Sequence, residues 1–138
     1  MIEGLSYVFD APVTPAQVRN LLEQTHWARS RSEEAIGVML RNSFAYLTVW
    51  QGERLVGFAR VLTDNVYRAL IDDVVVDTEW RGHGVGSMMI RHIIARFGHV
   101  EEVMLGCREE VVPFYERLGF KIETHPHMAI KRPAQTDP

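Results

Sequence analysis

Residues 74–86, with the sequence VVVDTEWRGHGVG, constrain the fold of this chain most strongly. Their three consecutive valines predict the end of a buried strand, because β-branched residues favour extended backbone. A glycine-rich turn follows, and residues 87–97 have the apolar spacing of a helix. Glycines let a ligand lie against bare backbone, while a helix start offers free N–H groups and the positive end of a dipole. The stretch therefore predicts a pyrophosphate-binding turn.

The spacing of this turn separates it from two common nucleotide motifs. It lacks the Lys-Ser/Thr ending of a P-loop, and it differs from the dinucleotide fingerprint Gly-x-Gly-x-x-Gly. Arg81, Gly84 and Gly86, preceded by Val74 and Val76, instead resemble the coenzyme A signature Gln/Arg-x-x-Gly-x-Gly/Ala of the GCN5-related N-acetyltransferase (GNAT) family. The resemblance extends from about residue 7 to residue 131. A different nucleotide site is the weaker alternative.

The length, composition and net charge of the chain limit the class of protein. A chain of 138 residues with 46% hydrophobic and 24% charged residues has the balance of one globular domain, expected over residues 1–131 with a polar tail at 132–138. The net charge of −3 argues against a nucleic-acid partner. The single cysteine, Cys107, excludes an internal disulfide framework and fits a reducing compartment. No apolar run reaches the roughly 18 residues of a membrane span, and no signal peptide is evident, so a cytoplasmic location is expected.

Periodicity and turn signals predict alternating strands and helices, with a capping box at Thr14 and Gln17, a hairpin turn at Gly52, a bulge or close approach at Gly57 and a helix end at Gly119. The predicted strands are residues 5–9, 43–50, 55–62, 67–76, 103–105, 120–123 and 128–131, and the predicted helices are residues 15–24, 33–41, 87–97 and 109–118. This order predicts an α/β fold whose mixed sheet has about seven strands, antiparallel first and parallel at its centre, with four helices. The resemblance implies the GNAT acetyltransferase fold, in which the strands ending at Val76 and Leu105 splay apart.

The resemblance also implies acetyl-CoA as cosubstrate and assigns its contacts. The backbone of the valine strand would bind the pantetheine arm and polarise the thioester carbonyl. The turn would wrap the pyrophosphate, with Ser87 adding a hydroxyl. Many members of the family have Asn at the position of Arg108. This chain departs from the family pattern there, and the hydrogen bond that this Asn usually makes to the cosubstrate is not implied. The expected cosubstrate-binding residues are Val74, Val75, Val76, Arg81, Gly82, His83, Gly84, Val85, Gly86, Ser87 and Arg108.

Tyr115 is the expected general acid. The family commonly has Tyr three residues before Leu, followed by Gly-Phe, and residues 115–120 (YERLGF) match this pattern. A phenol with a pKa of about 10 stays protonated at neutral pH and can protonate a departing thiolate. Cys107 would act as a nucleophile only with an activating base, and the family mechanism is direct transfer.

The attacking amine must lose a proton, and Asp72 is the expected base. Strand alternation places Asp72 on the face shared with Val74 and Val76, and Asp73 on the opposite face. Other candidate bases are held in reserve: Glu79, His26, His125 and His127. The two histidines of the His-Pro-His loop are too few to predict a metal site, and none is expected.

The acceptor is expected to be a small-molecule amine or a peptide or protein amine. The resemblance places the acceptor beside the first two helices, which makes His26, Trp27 and Asp73 the expected substrate-binding residues. Neither a nucleic acid nor a membrane is expected as partner, and a homodimer is left open. The rival to an N-acetyltransferase is a non-catalytic acyl-CoA-binding or sensor domain of the same fold.

Overall fold

The computed structural model describes residues 4–133, in which one mixed sheet has helices on both faces. The elements in order are β1 (Leu5–Phe9), α1 (Pro15–Leu22), α2 (Glu33–Asn42), β2 (Ala45–Gln51), β3 (Arg54–Thr63), β4 (Arg68–Val76), a 3-10 turn (Thr78–Trp80), α3 (Val85–Arg96), β5 (Glu102–Met104), a second 3-10 turn (Glu109–Val111) and α4 (Val112–Glu116). These match the predicted order as far as α4.

Local sequence signals determine where the first helices begin. Thr14 and Gln17 form the expected capping box, in which the Gln17 N–H donates to the Thr14 hydroxyl (3.1 Å) and the Thr14 N–H donates to the Gln17 side chain (2.9 Å). Ser32 caps α2 by accepting from the Ala35 N–H. Each cap satisfies N–H groups that the first helical turn would otherwise leave free.

The sheet has the order β1-β2-β3-β4-β5, with antiparallel pairing from β1 to β4 and a parallel pairing of β4 with β5. Gly57 lies where α3 crosses the sheet: a Cβ there would come within 2.9 Å of Val49 and 3.1 Å of Met89. The close approach expected at this glycine is confirmed, and β3 is also irregular beside it.

Two apolar clusters cover the two faces of the sheet. On one face the buried side chains of α3 pack against β2, β3 and β4, with Met89, Ile90 and Ile93 fully buried. On the other face α1 and α2 pack over Phe58 and Val75. The sheet therefore separates an α3 face from an α1–α2 face.

The two predicted C-terminal strands are wrong as elements of this chain's own sheet. Residues 120–123 and 128–131 pair with no strand within the described chain, so the sheet has five strands rather than about seven. A strand needs a neighbouring edge for its backbone groups, and every residue from 121 to 133 is exposed. Residues 134–138 of the predicted polar tail lie outside the described residues.

The predicted helix 109–118 is also shorter than expected. Its first turn is a 3-10 turn, and α4 occupies only Val112–Glu116, with Pro113 in its first turn. Proline has no N–H to donate to the preceding turn and fits a helix only in its first turn, which agrees with the late start of α4. Gly119, with φ +102°, ends the helix as expected. Among residues 4–133, no helix is long and apolar enough to cross a membrane.

Candidate active site

A bulge in β4 sets the direction of the two candidate acids. Phe58 opposes Val75 and Arg60 opposes Asp72, so one residue of β3 faces both Asp73 and Val74. Asp73 has φ +53°, the left-handed conformation that short polar residues tolerate best. The extra residue shifts the alternation: Ile71 and Val74 both pack on the α3 face, while Val75 packs on the α1–α2 face.

The predicted separation of Asp72 and Asp73 onto opposite faces is therefore wrong. Both carboxylates bind Arg60: its Nη2 donates to Asp72 (3.1 Å) and its Nε donates to Asp73. Arg31, from the segment between α1 and α2, donates to the same Asp73 oxygen (2.8 Å). The Asp73 carboxylate is 1% exposed and that of Asp72 is 46% exposed. Asp73 is a buried anchor for two guanidinium groups, while Asp72 still reaches solvent.

A cavity of about 430 Å³ lies on the α1–α2 face beside these ion pairs. Arg31 and the Trp27 ring form part of its wall, with the guanidinium carbon 5.9 Å from the ring centroid. The expected substrate residues are only partly brought together, since His26 does not line the cavity and lies 2.8 Å from Arg29. The lining residues are Trp27, Ser30, Arg31, Ala35, Ile36, Met39 and Arg60.

The sheet opens beside this cavity. β4 and β5 pair only from Arg68–Glu102 to Leu70–Met104, and within residues 4–133 no strand pairs with the same edge of β4 beyond Leu70. We call residues 71–76 on that side the free β4 edge; it is about 20 Å long. The expected splay of the central strands is confirmed, and it opens between the α3 face and the α1–α2 face.

The glycine turn (residues 81–87) lies at the end of the free β4 edge. Gly82 and Gly84 have φ values of +79° and +83°, and a Cβ on either would meet nothing within 4 Å. Gly84 is the N-cap of α3 and supplies no side-chain cap, so the first N–H groups of this 12-residue helix lack a side-chain partner. The turn thus combines open space, bare backbone and a positive helix end, which together suit an anion.

Two anchors hold the glycine turn against the end of β4. The Arg81 Nε donates to the Val76 carbonyl (3.0 Å), so this side chain caps the turn. Asp77 accepts from the Glu79 N–H (2.9 Å) and binds Arg54 (3.0 Å). His83 is exposed, with its ring edge-on to that of Trp80 at 6.3 Å.

Gly86 is where β4, α3 and α4 meet. A Cβ there would lie 3.5 Å from the Phe114 ring and 3.9 Å from Val76. The Phe114 ring stands edge-on to that of Tyr115, with centroids 4.9 Å apart. α4 therefore holds Tyr115 beside the start of α3. Burial raises the pKa of the Tyr115 phenol above its ordinary value of 10.0, and the neighbouring Cys107 raises it further.

The remaining expected contacts differ in exposure. Arg108 is 77% exposed and lies 3.7 Å from Glu110, while Cys107 is exposed. The side chains of Val75 and Val85 are buried, so only their backbone faces a ligand. Sequence reasoning missed Arg31, Arg60 and Phe114. The two arginines contact Asp73 across 42 and 13 residues, and no local signal reports such pairs.

Comparisons with known proteins identify what this arrangement is similar to. The model of the acetyltransferase (GNAT) family matches residues 11–120. The uncharacterized N-acetyltransferase ycf52 of Pyropia yezoensis is 31% identical over 110 residues, which cover 75% of this chain and 63% of that protein. The GCN5-related N-acetyltransferase 2, chloroplastic, of Arabidopsis thaliana is 32% identical over 145 residues, covering 89% of this chain and 56% of that protein. This chain thus spans less than two thirds of the length of either relative.

Solved structures share the fold over nearly the whole chain. A crystal structure of a protein from Deinococcus radiodurans R1 has a TM-score of 0.81 and 29% identity, covering 94% of this chain and 90% of that one. A GNAT-family acetyltransferase from Streptococcus pneumoniae TIGR4 has a TM-score of 0.80 at 21% identity, covering 94% of this chain and 99% of that one, a likeness of fold alone.

Proposed function

Because this chain belongs to the acetyltransferase (GNAT) family, we propose that it transfers the acetyl group of acetyl-CoA to a primary amine by direct attack in a ternary complex. One observation supports this most: a free β4 edge leads into an open glycine turn at a helix start, and Phe114, whose ring stands edge-on to that of Tyr115, packs beside Gly86 in that turn. An extended chain with a charged diphosphate end fits this sequence of surfaces.

The residues present suit acetyl-CoA in their chemistry. Backbone groups of Val74, Val75 and Val76 on the free β4 edge would bind the pantetheine amides as an added strand does. The N–H groups of the glycine turn would bind the pyrophosphate, with the Ser87 hydroxyl beside them. The open space at Gly82 and Gly84 would leave room for the phosphate oxygens.

The bound thioester supplies an activated acyl group, and Tyr115 would handle the proton of the leaving group. As the carbon–sulfur bond breaks, its hydroxyl would protonate the departing sulfur. A pKa above the ordinary phenol value keeps this proton in place at neutral pH, so Tyr115 is available as a donor.

Asp72 would accept the proton of the attacking amine, directly or through one water. It is half-exposed, whereas Asp73 is enclosed by Arg31 and Arg60. We therefore assign Asp73 a positioning role: it fixes the two arginines that line the cavity. The amine would approach from this cavity, with Trp27 as a wall, and reach the thioester through the splay of the sheet.

A non-catalytic acyl-CoA sensor is the rival, and one observation favours it. Both acids beside the free β4 edge are in ion pairs with arginines, which leaves no unpaired carboxylate there among the described residues. The cytoplasmic location expected from the sequence stays a prediction, since one relative is named as chloroplastic.

The deciding experiment offers acetyl-CoA together with a panel of primary amines and measures released thiol. The panel contains polyamines, amino acids, amino sugars, lysine peptides and peptides with a free N-terminus. An enzyme releases thiol above the hydrolysis background with at least one class. Tight binding of acetyl-CoA without turnover for any class would support the sensor, and failure to bind acetyl-CoA at all would remove both readings.

A further inference from the structure

The C-terminal segment (residues 120–131) has the sequence of a strand pair but none of its contacts. Apolar side chains alternate with charged or small ones in FKIE and MAIK, and THPH between them is a turn-forming sequence. In the structure, Ile122, Met128 and Ile130 are 70%, 89% and 83% exposed. These are the three most exposed large hydrophobic side chains of residues 4–133.

Phe120 is the last residue of the segment that packs against the rest of the chain. The Phe120 N–H donates to the Tyr115 carbonyl (3.2 Å), and the two rings stand edge-on with centroids 5.8 Å apart. After Phe120 every residue to 133 is exposed. The outer edge of β5 is available to the C-terminal segment of the same chain, yet no pairing forms between them within the described residues.

The last strand of the sheet lacks a neighbour on its outer side. β5 ends the sheet order and consists of three residues, with Met104 40% exposed. The outer edge of such a strand presents unpaired N–H and C=O groups that can bind another strand. The same chain therefore carries both an open sheet edge and an unpaired, strand-like segment.

We propose that the C-terminal segment pairs with the outer edge of β5 of a second copy of this chain, and that two copies exchange their segments about a two-fold axis. Each half would then contain seven strands, five of its own and two from the other copy, which is the number predicted from the sequence. An extended segment of this length reaches about 40 Å, enough to cross to a neighbouring copy.

Charge complementarity supports a second copy as the occupant. Glu101 and Glu102 at the start of β5 share a single cation, Arg68, which leaves this edge net negative. Lys121, Lys131 and Arg132 form no ion pair within the part of the chain that the structure describes. Seating the segment on β5 brings these cations towards the glutamates.

The test uses the full chain and one matched pair of double variants. Ile122→Lys with Ile130→Lys places charges on the segment, and Val8→Lys with Val38→Lys does the same at exposed apolar positions on β1 and α2, away from β5. Light scattering after size exclusion gives the mass, and hydrogen exchange gives amide protection. We expect the parent and the valine variant to have twice the chain mass of 15.8 kDa, and the isoleucine variant to have the mass of one chain.

Amide protection distinguishes a dimer with exchanged C-terminal segments from other arrangements of two copies. We expect residues 102–105 and 120–131 to be protected in the parent and unprotected in the isoleucine variant, while the amides of α3 keep their protection in both. A parent with the mass of one chain would overturn the proposal, whether its segment is protected or not. So would a dimer that persists in the isoleucine variant. Because neither variant touches the glycine turn or Tyr115, these outcomes do not depend on whether the proposed transfer reaction occurs.

Discussion

Tyr115 is a partly buried phenol, and both effects on its pKa favour the neutral form. Two aromatic rings enclose it, and burial followed by the effect of Cys107 raises the pKa of its hydroxyl. Its proton is therefore retained up to pH values above about 10. If it serves as the acid, turnover is insensitive to this group at neutral pH and falls only when strong alkali removes the proton.

Tyr115→Phe removes the hydroxyl and keeps the ring. We expect kcat to fall about 100-fold or more, because general acids typically contribute that much, while the KM for acetyl-CoA stays nearly unchanged. Tyr67→Phe is the control, since Tyr67 is 60% exposed and is not among the proposed site residues. Steady-state kinetics of both variants check this, and an unaltered kcat for Tyr115→Phe would remove its role as acid.

Asp73 holds two arginines together from a backbone conformation with positive φ. Asp73→Ala leaves Arg31 without a counter-charge and Arg60 with only the half-exposed Asp72, so we expect the free energy of unfolding to fall by about 3 kcal/mol. Asp73→Asn keeps a hydrogen-bond acceptor and tolerates the same φ, so its loss should be smaller. Urea unfolding of both variants measures the difference, and equal small losses would mean that the ion pairs do not stabilise the fold.

The glycine turn and the first turn of α3 act as one element. Gly84→Glu places a side chain and a negative charge in the space proposed for the pyrophosphate. We expect the affinity for acetyl-CoA to fall about 100-fold or more, which is about 2.7 kcal/mol. Gly52→Glu is a matched control, because Gly52 also has a positive φ of +59° and open space around it, but lies in the β2–β3 turn. Calorimetric titration compares the two variants; equal affinities would refute the turn as the binding element.

Asp77 lies between β4 and the glycine turn and binds Arg54 of β3 and Gln24, which follows α1. Burial opposes its charge, but bonds from the Glu79 N–H, Gln24 and Arg54 outweigh that effect and lower the pKa of the carboxyl below its ordinary value of 3.8. A carboxyl with a lowered folded pKa stabilises the fold above its unfolded pKa and loses that contribution as pH falls through the folded value.

Asp77→Ala should therefore lower the free energy of unfolding by about 1 kcal/mol at pH 7, and the difference from the parent should shrink as the pH falls below about 4. Thermal or urea unfolding from pH 7 to pH 3 measures it. Glu53→Ala, in the exposed β2–β3 turn, is the control, and its free energy of unfolding should differ from that of the parent by a constant amount across this pH range. A constant deficit of Asp77→Ala across this range would show that the ionised carboxylate is not what stabilises the turn.

Elements whose signals are local could be predicted from the sequence. The cap at Thr14, the turn at Gly52 and the start of α3 each depend on residues within a few positions. The faces of Asp72 and Asp73 could not be predicted, because alternation assumes an unbroken ladder and the bulge depends on pairing with β3. The C-terminal strands were predicted from their residues alone, but a strand also requires an edge to pair with.

In the molecule as a whole, the sheet separates two chemical surfaces and the splay connects them. The glycine turn and α4 belong to the α3 face, whereas the cavity and its arginines belong to the α1–α2 face. A reaction between two substrates held on different faces needs such an opening. The sequence implied the splay through its family resemblance, but only the end of the β4–β5 ladder at Leu70 locates it.

A crystal structure of the protein with coenzyme A tests the central claim most directly. We expect the pyrophosphate oxygens to lie within about 3.2 Å of backbone N–H groups of the glycine turn, the pantetheine arm to follow the free β4 edge, and the sulfur to lie beside the Tyr115 hydroxyl. Crystals saturated with coenzyme A in which the turn stays empty, or in which the ligand binds on another surface, would contradict the account.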